Sequence, residues 1–186
     1  STCTIISSPG VYTLTADIIN SSATICIEIT SSNVIFDGAG YTIDGIDAQN
    51  QSTYGVYVYN SSTTLTNVTV KNLVVTNWWH GITFQIVRNG SISNNTASLN
   101  GYRGIYLSSS SNNTLISNTL SGSHTGIGVE FSTNNRLSGN KISGTAYVGI
   151  RVEGESSENI IISNTVSSSG HGIIVQSSAN NTVENN

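Results

Sequence analysis

Apolar residues return along this chain at alternate positions in short runs, and each run follows a glycine. The pairs are Val56/Val58, Ile82/Phe84, Ile105/Leu107, Ile127/Val129, Ile150/Val152 and Ile173/Val175, one and three places after Gly55, Gly81, Gly104, Gly126, Gly149 and Gly172. A period of two marks a β-strand with one buried face. The glycines stand 26, 23, 22, 23 and 23 residues apart. A second mark keeps step with them: asparagine pairs five apart at Asn67/Asn72, Asn89/Asn94, Asn113/Asn118, Asn135/Asn140, Asn159/Asn164 and Asn181/Asn186. A unit of about 23 residues is too short for a propeller blade and has no helix, but it suits one turn of a solenoid. Asn belongs at the corners of such a turn because it tolerates the left-handed backbone region and its amide bonds to backbone. Stacked turn upon turn, the amides also bond to one another. The expectation is a single all-β domain over residues 1–186, a parallel β-solenoid of seven to eight turns of 22–24 residues. Residues 1–54 form divergent first turns with a polar loop near 45–53, and residues 55–186 form regular repeats, the last incomplete.

Composition narrows the class. Ser, Thr and Asn number 31, 22 and 23, so 76 of 186 residues are small, polar and uncharged. With 18 Gly as well, long helices are excluded, since all four residue types are poor in helix interiors. Six cations against ten anions leave a net charge of -4 and exclude a basic nucleic-acid surface. A hydrophobic share of 37%, rich in Ile and Val, argues against disorder. No apolar run approaches membrane-spanning length, and the chain opens at Ser1 without a basic leader. These features set the expectation of an extracellular protein whose signal peptide has been removed.

Cys3 and Cys26 lie 23 residues apart, one solenoid period. They are therefore expected on neighbouring turns, about 4.8 Å apart and within reach of a disulfide. Such a bond favours an oxidising compartment; the alternative is a pair of buried free thiols. Eight Asn-x-Ser/Thr sequons occur, at Asn20, Asn50, Asn60, Asn67, Asn89, Asn94, Asn112 and Asn180. Abundant Asn, Ser and Thr generate sequons by chance, so only Asn60, Asn112 and Asn180, in expected loops, are candidate N-glycosylation sites.

The pattern Gly-Ile-x-Val followed by Asn-Asn-x-Ile/Leu-x-x-Asn-x-Ile/Val resembles the right-handed parallel β-helix repeats of the NosD-like group. That group includes periplasmic copper-site maturation proteins and archaeal and bacterial surface proteins. The segments Pro9-Gly-Val-Tyr-Thr-Leu-Thr-Ala-Asp17 and Asn33-Val-Ile-Phe-Asp-Gly38 are similar to the first turns of such surface proteins. The resemblance implies a right-handed β-helix and a place in the cell envelope. It does not fix an activity, since pectin-cleaving enzymes, adhesins and envelope proteins share the repeat.

In a solenoid, residues at equal offset from the glycine form columns along the axis. Two places before it stand Thr53, Trp79, Tyr102, His124, Tyr147 and Gly170. Two places after it stand Tyr57, Thr83, Tyr106, Gly128, Arg151 and Ile174, and four places after it Tyr59, Gln85, Ser108, Glu130, Glu153 and Gln176. With Tyr54, Trp78 and His80 added, one flank is aromatic. The candidate binding or assembly face is Tyr57, Tyr59, Trp78, Trp79, Tyr102, Tyr106, His124 and Tyr147. Two readings stand side by side. The rings form a platform for sugar faces or a neighbouring protein, or they stack as a ladder that only stabilises the sheet.

Candidate chemistry is thin. Glu130 and Glu153 share a column with Arg151 between them, the only grouping that suits a polysaccharide lyase or hydrolase. Asp37, Asp44 and Asp47 are the only other carboxylate cluster, and Asp37-Gly38 and Asp44-Gly45 read as turns. No metal site is expected: His80 and His171 share a column four turns apart, Met is absent, and the cysteines are assigned to each other. No cofactor is expected. The leading expectation is a structural envelope protein, a sheath, surface layer or fibre, whose partners are copies of itself or other envelope proteins. Next comes a carbohydrate-binding or adhesin module with a polysaccharide partner, and last an enzyme using Glu130, Glu153 and Arg151.

Overall fold

The computed structural model describes residues 1–46, 49 and 53–186. Asp47, the sequon at Asn50 and most of the polar loop near 45–53 lie outside the described residues. The chain winds into eight turns around three large parallel sheets, with a small fourth in which Leu65–Thr66 pairs with Val87–Arg88. The largest, here the face sheet, stacks Thr4–Ile6, Ile25–Ile29, Tyr54–Val58, His80–Gln85, Arg103–Ser108, Thr125–Glu130, Val148–Glu153 and His171–Val175. From Arg103–Ser108 the chain passes to Thr114–Ile116 in a second sheet of eight strands. It continues to Thr119–Ser121 in a third sheet of seven, then returns to the face sheet at Thr125–Glu130. The solenoid and its period are as the sequence implies. The expected disulfide is present, joining Cys3, just before the strand Thr4–Ile6, to Cys26 of the strand it pairs with, their Cα atoms 4.3 Å apart.

The inward side chains make one continuous core. Ile82, Ile105, Ile127 and Ile150 form one row and Phe84, Leu107, Val129 and Val152 the next, all buried. The repeated glycine sits where the strand enters the sheet. A Cβ on Gly126 would lie 2.5 Å from Ile142 Cγ2 and 2.6 Å from the carbonyl oxygen of Gly149 on the next turn. Both the glycine and the residue after it therefore face inward. Alternation restarts one step out of phase, so the residue before the glycine points outward, like those two and four places after it.

Four corners close a middle turn, and a residue with positive φ stands at each. One column runs Asn67, Asn89, Asn112, Asn134, Glu158 and Asn180, all with φ of 55–58°. The residue after each corner turns inward. Where it is Asn, its Oδ1 accepts the backbone N–H and the Nδ2–H of the equivalent position one turn earlier. Asn118 Oδ1 accepts from Asn95 N and Nδ2, both at 3.0 Å, while Asn118 Nδ2 donates to Ile92 O at 2.9 Å and Asn140 Oδ1 at 3.0 Å. A parallel ladder runs through Asn113, Asn135, Asn159 and Asn181. Ser110, Ser132 and Ser156 repeat the device with hydroxyls at a third corner.

The asparagine pairs in the sequence thus combine two roles. Asn67/Asn72 and Asn89/Asn94 are corner residues with positive φ, whereas the pairs from Asn113/Asn118 to Asn159/Asn164 are the buried ladder one place later, which Asn181/Asn186 continue in a more exposed setting. The slip of one place accounts for the 24-residue step between Asn89 and Asn113.

Candidate functional site

The outer side of the face sheet carries the aromatic and ionic residues. Tyr54 stacks on Tyr57 with ring centroids 4.6 Å apart and on His80 of the next turn at 5.1 Å, and Tyr57 stacks on Tyr59 at 5.5 Å. The Tyr57 hydroxyl donates to Gln85 Oε1 at 2.8 Å. Burial, reinforced by Tyr54, Tyr59 and Glu28, pushes the Tyr57 phenol up to about 12.

One turn on, Arg103 enters the site from the position before the glycine. Its guanidinium lies over Tyr106 at 3.8 Å and Tyr102 at 4.5 Å and pairs with Glu130 at 3.3 Å. Its side chain is only 10% exposed. Gly128 makes the room: a Cβ there would meet Arg103 Nε at 3.1 Å. Tyr106 also hydrogen-bonds to Glu130 through its hydroxyl, and burial, with that bond, raises its phenol above the usual range. A further turn along, Arg151 pairs with Glu153 at 2.6 Å.

Beside these pairs runs the column two places before the glycine. Trp79–Tyr102, Tyr102–His124 and His124–Tyr147 have centroids 5.4, 5.4 and 5.2 Å apart, with interplanar angles of 24°, 42° and 26°. Tyr102 is stacked on Trp79 and tilted against His124, and both are half-buried; the Tyr102 hydroxyl accepts from Arg103 Nη2 at 3.5 Å, and His124 Nδ1 lies 3.3 Å from Thr125 Oγ1. Burial, then the guanidinium groups of Arg151 and Arg103, hold the His124 imidazole below its ordinary range.

Trp78 does not belong to this face. It is 1% exposed, its Nε1–H donates to Ile43 O at 3.3 Å, and Gly45 and Gly55 leave space for its indole. Its position follows the Asn77 corner and is the inward one that Asn100 fills on the next turn. The Glu130–Arg151–Glu153 grouping is also redistributed, because Glu130 pairs with Arg103 and Glu153 with Arg151. Arg103 escapes a strict count of alternate residues because the glycine shifts the phase. Both carboxylates are thus engaged within the face, each by its own guanidinium group.

Elsewhere, Asp37 is a turn residue, held below the usual carboxylate range chiefly by the Ala39 backbone N–H, with Asn72 and Lys71 adding to it. Asp44 accepts from Asn20 N and Asn77 Nδ2. Of the sequons, Asn60 donates its Nδ2–H to Thr30 O at 2.9 Å, while Asn112 and Asn180 are exposed on one corner column with Asn67 and Asn89.

His80 is 7% exposed, and its Nδ1 is buried without a partner among the described residues. Tyr54, Trp79, Tyr102, Tyr106 and Arg103 surround it. Burial, and secondarily Arg103, lowers its pKa to about 3. Depression of a base favours the neutral folded form, so its contribution is complete above about pH 6.5 and is lost as pH falls toward 3. Between pH 7 and pH 4 the loss from this residue is about 3 kcal/mol. Urea unfolding at both pH values is expected to show His80→Gln losing less stability than wild type; equal losses would refute the assignment.

The model of the right-handed β-helix region matches residues 27–186. No curated protein gives a significant match. Among solved structures, the chain is similar to the A-module of the Azotobacter vinelandii mannuronan C-5 epimerase AlgE4, with a TM-score of 0.52 and 15% identity. The match covers 89% of this chain and 58% of that one, and at this identity the likeness is one of fold. The winding of the chain and the family match agree: this protein belongs to the right-handed β-helix family.

Proposed function

We propose that this chain is a carbohydrate-binding module that holds an extended polysaccharide along the outer side of its face sheet. The observation that carries the reading is the repetition of half-exposed rings with hydrogen-bonding atoms turn after turn, from Trp79 through Tyr102 and His124 to Tyr147. Turns recur every 4.8 Å or so, close to the length of one pyranose unit in an extended chain. Successive sugars would meet equivalent phenol, imidazole, amide and ion-pair groups. The epimerase module of similar fold acts on a polysaccharide, which is in keeping with this reading. An extracellular setting, as the NosD-like repeat implies, is part of the same proposal, and the disulfide supports an oxidising compartment.

An envelope-building role would use the same face with a second copy in place of the glycan. The glutamates of the two ion pairs favour a hydrated ligand, since Glu is depleted in protein interfaces, whereas the rings and arginines suit either partner. Native electrophoresis through gels containing soluble polysaccharides tests the choice. Wild type is expected to be retarded, and Trp79→Ala and Tyr102→Ala to bind about tenfold more weakly with melting little changed. Unchanged mobility in every gel, with concentration-dependent growth in sedimentation, would replace the module with the assembling protein.

A further inference from the structure

Guanidinium groups are the usual protein partners of sugar carboxylates, because their paired N–H donors match a carboxylate geometrically. The face sheet has two, yet both are occupied from within. Arg103 is bonded to Glu130 and lies between two phenol rings, and Arg151 is bonded to Glu153. Glu28, paired in register with Tyr57, adds a third carboxylate. Three carboxylates thus stand against two guanidinium groups on the face. An incoming polyuronate would have to displace Glu130 or Glu153 from a half-sheltered pair while approaching like charge, whereas a neutral polyol can bond to the same groups without breaking them.

We infer that this face selects uncharged polysaccharides and rejects uronate polymers, and that Glu130 and Glu153 set that choice by keeping the guanidinium groups occupied. The inference rests on the carbohydrate-binding reading and names its ligand class. Removing the negative charge should reverse the preference. In Glu130→Gln an amide oxygen still accepts from Tyr106, but Arg103 is left as an uncompensated cation between two rings. Glu153→Gln does the same for Arg151, whose side chain is 26% exposed.

The test is calorimetric titration of wild type, Glu130→Gln and Glu153→Gln with a soluble neutral glucan and with polymannuronate, each at low and high salt. Circular dichroism checks that each variant folds, and Glu153→Gln serves if the more buried site does not tolerate change. Wild type is expected to bind the glucan only. At least one folded variant is expected to bind polymannuronate about tenfold or more tighter than wild type, with the gain lost at high salt. Equal or tighter binding of polymannuronate by wild type would overturn the selectivity and leave the binding reading standing. Glucan binding without any gain in the variants would overturn the role of the two glutamates. Binding of neither polymer would sink the carbohydrate reading itself.

Discussion

Asn118→Ala is expected to cost about 4 kcal/mol of stability, although the residue touches no surface. Its amide joins three turns: it accepts from Asn95 N and Nδ2 and donates to Ile92 O and Asn140 Oδ1. Truncation leaves the Asn95 donors and the Ile92 carbonyl unpaired in a dry interior. Each such group costs about 1–3 kcal/mol, because water cannot replace the lost partner. A cavity adds to the loss. Asn94→Ala, at the exposed corner on the preceding turn, is expected to cost only about 1 kcal/mol, the strain of putting Ala in a left-handed conformation. Urea unfolding followed by circular dichroism measures both. A loss within 1 kcal/mol of zero for Asn118→Ala would mean that water or relaxation satisfies the orphaned groups.

The second large effect belongs to a glycine. Gly126→Ala places a methyl 2.5 Å from Ile142 Cγ2 and 2.6 Å from the Gly149 carbonyl. Ile142 is held by the core, and the carbonyl is part of the next turn's backbone, so neither can yield without moving a strand. Overpacking of this kind costs about 1–3 kcal/mol and reaches beyond that where backbone must shift, so about 3 kcal/mol is expected. Gly139 makes the contrast. It has a φ of 64° at a corner where the equivalent residues Asn72 and Asn94 have 52° and 55°, and the nearest atom to an added Cβ is 3.9 Å away. Gly139→Asn is therefore expected to be nearly neutral. Equal unfolding midpoints for the two variants would show that close approach is not why the glycine recurs.

The repeat was legible because two unrelated residue patterns kept one period, and from it followed the sheets, the disulfide and the stacked column from Trp79 to Tyr147. Arg103 is harder to read, because strict alternation breaks at the glycine that follows it. At each repeated glycine two consecutive residues face inward, so Arg103, next to Gly104, lies on the same side as Tyr106 and reaches Glu130. Trp78 fills an inward row that is otherwise polar, with Asn100, Ser123 and Thr145 succeeding it, so its burial has no signal in the repeat. A tryptophan beside a second tryptophan reads as exposed unless the corner at Asn77 is known. Glu130 and Glu153 share a column, as their spacing implies, while the cation each takes is set by side-chain geometry that spacing does not carry.

The in-register stacking of identical corners has a consequence for how such a molecule can change. Every ladder amide, every glycine carbonyl and every corner finds its partner on an adjacent coil, so a whole coil copied and spliced beside its original would meet the surroundings it left. Deletion or duplication in full units would shorten or lengthen the rod without redesigning its interior. A shift by a single residue would throw all the columns beyond it out of step. Length is thus a quantity this architecture can adjust in increments, while the composition of the outer surface drifts independently.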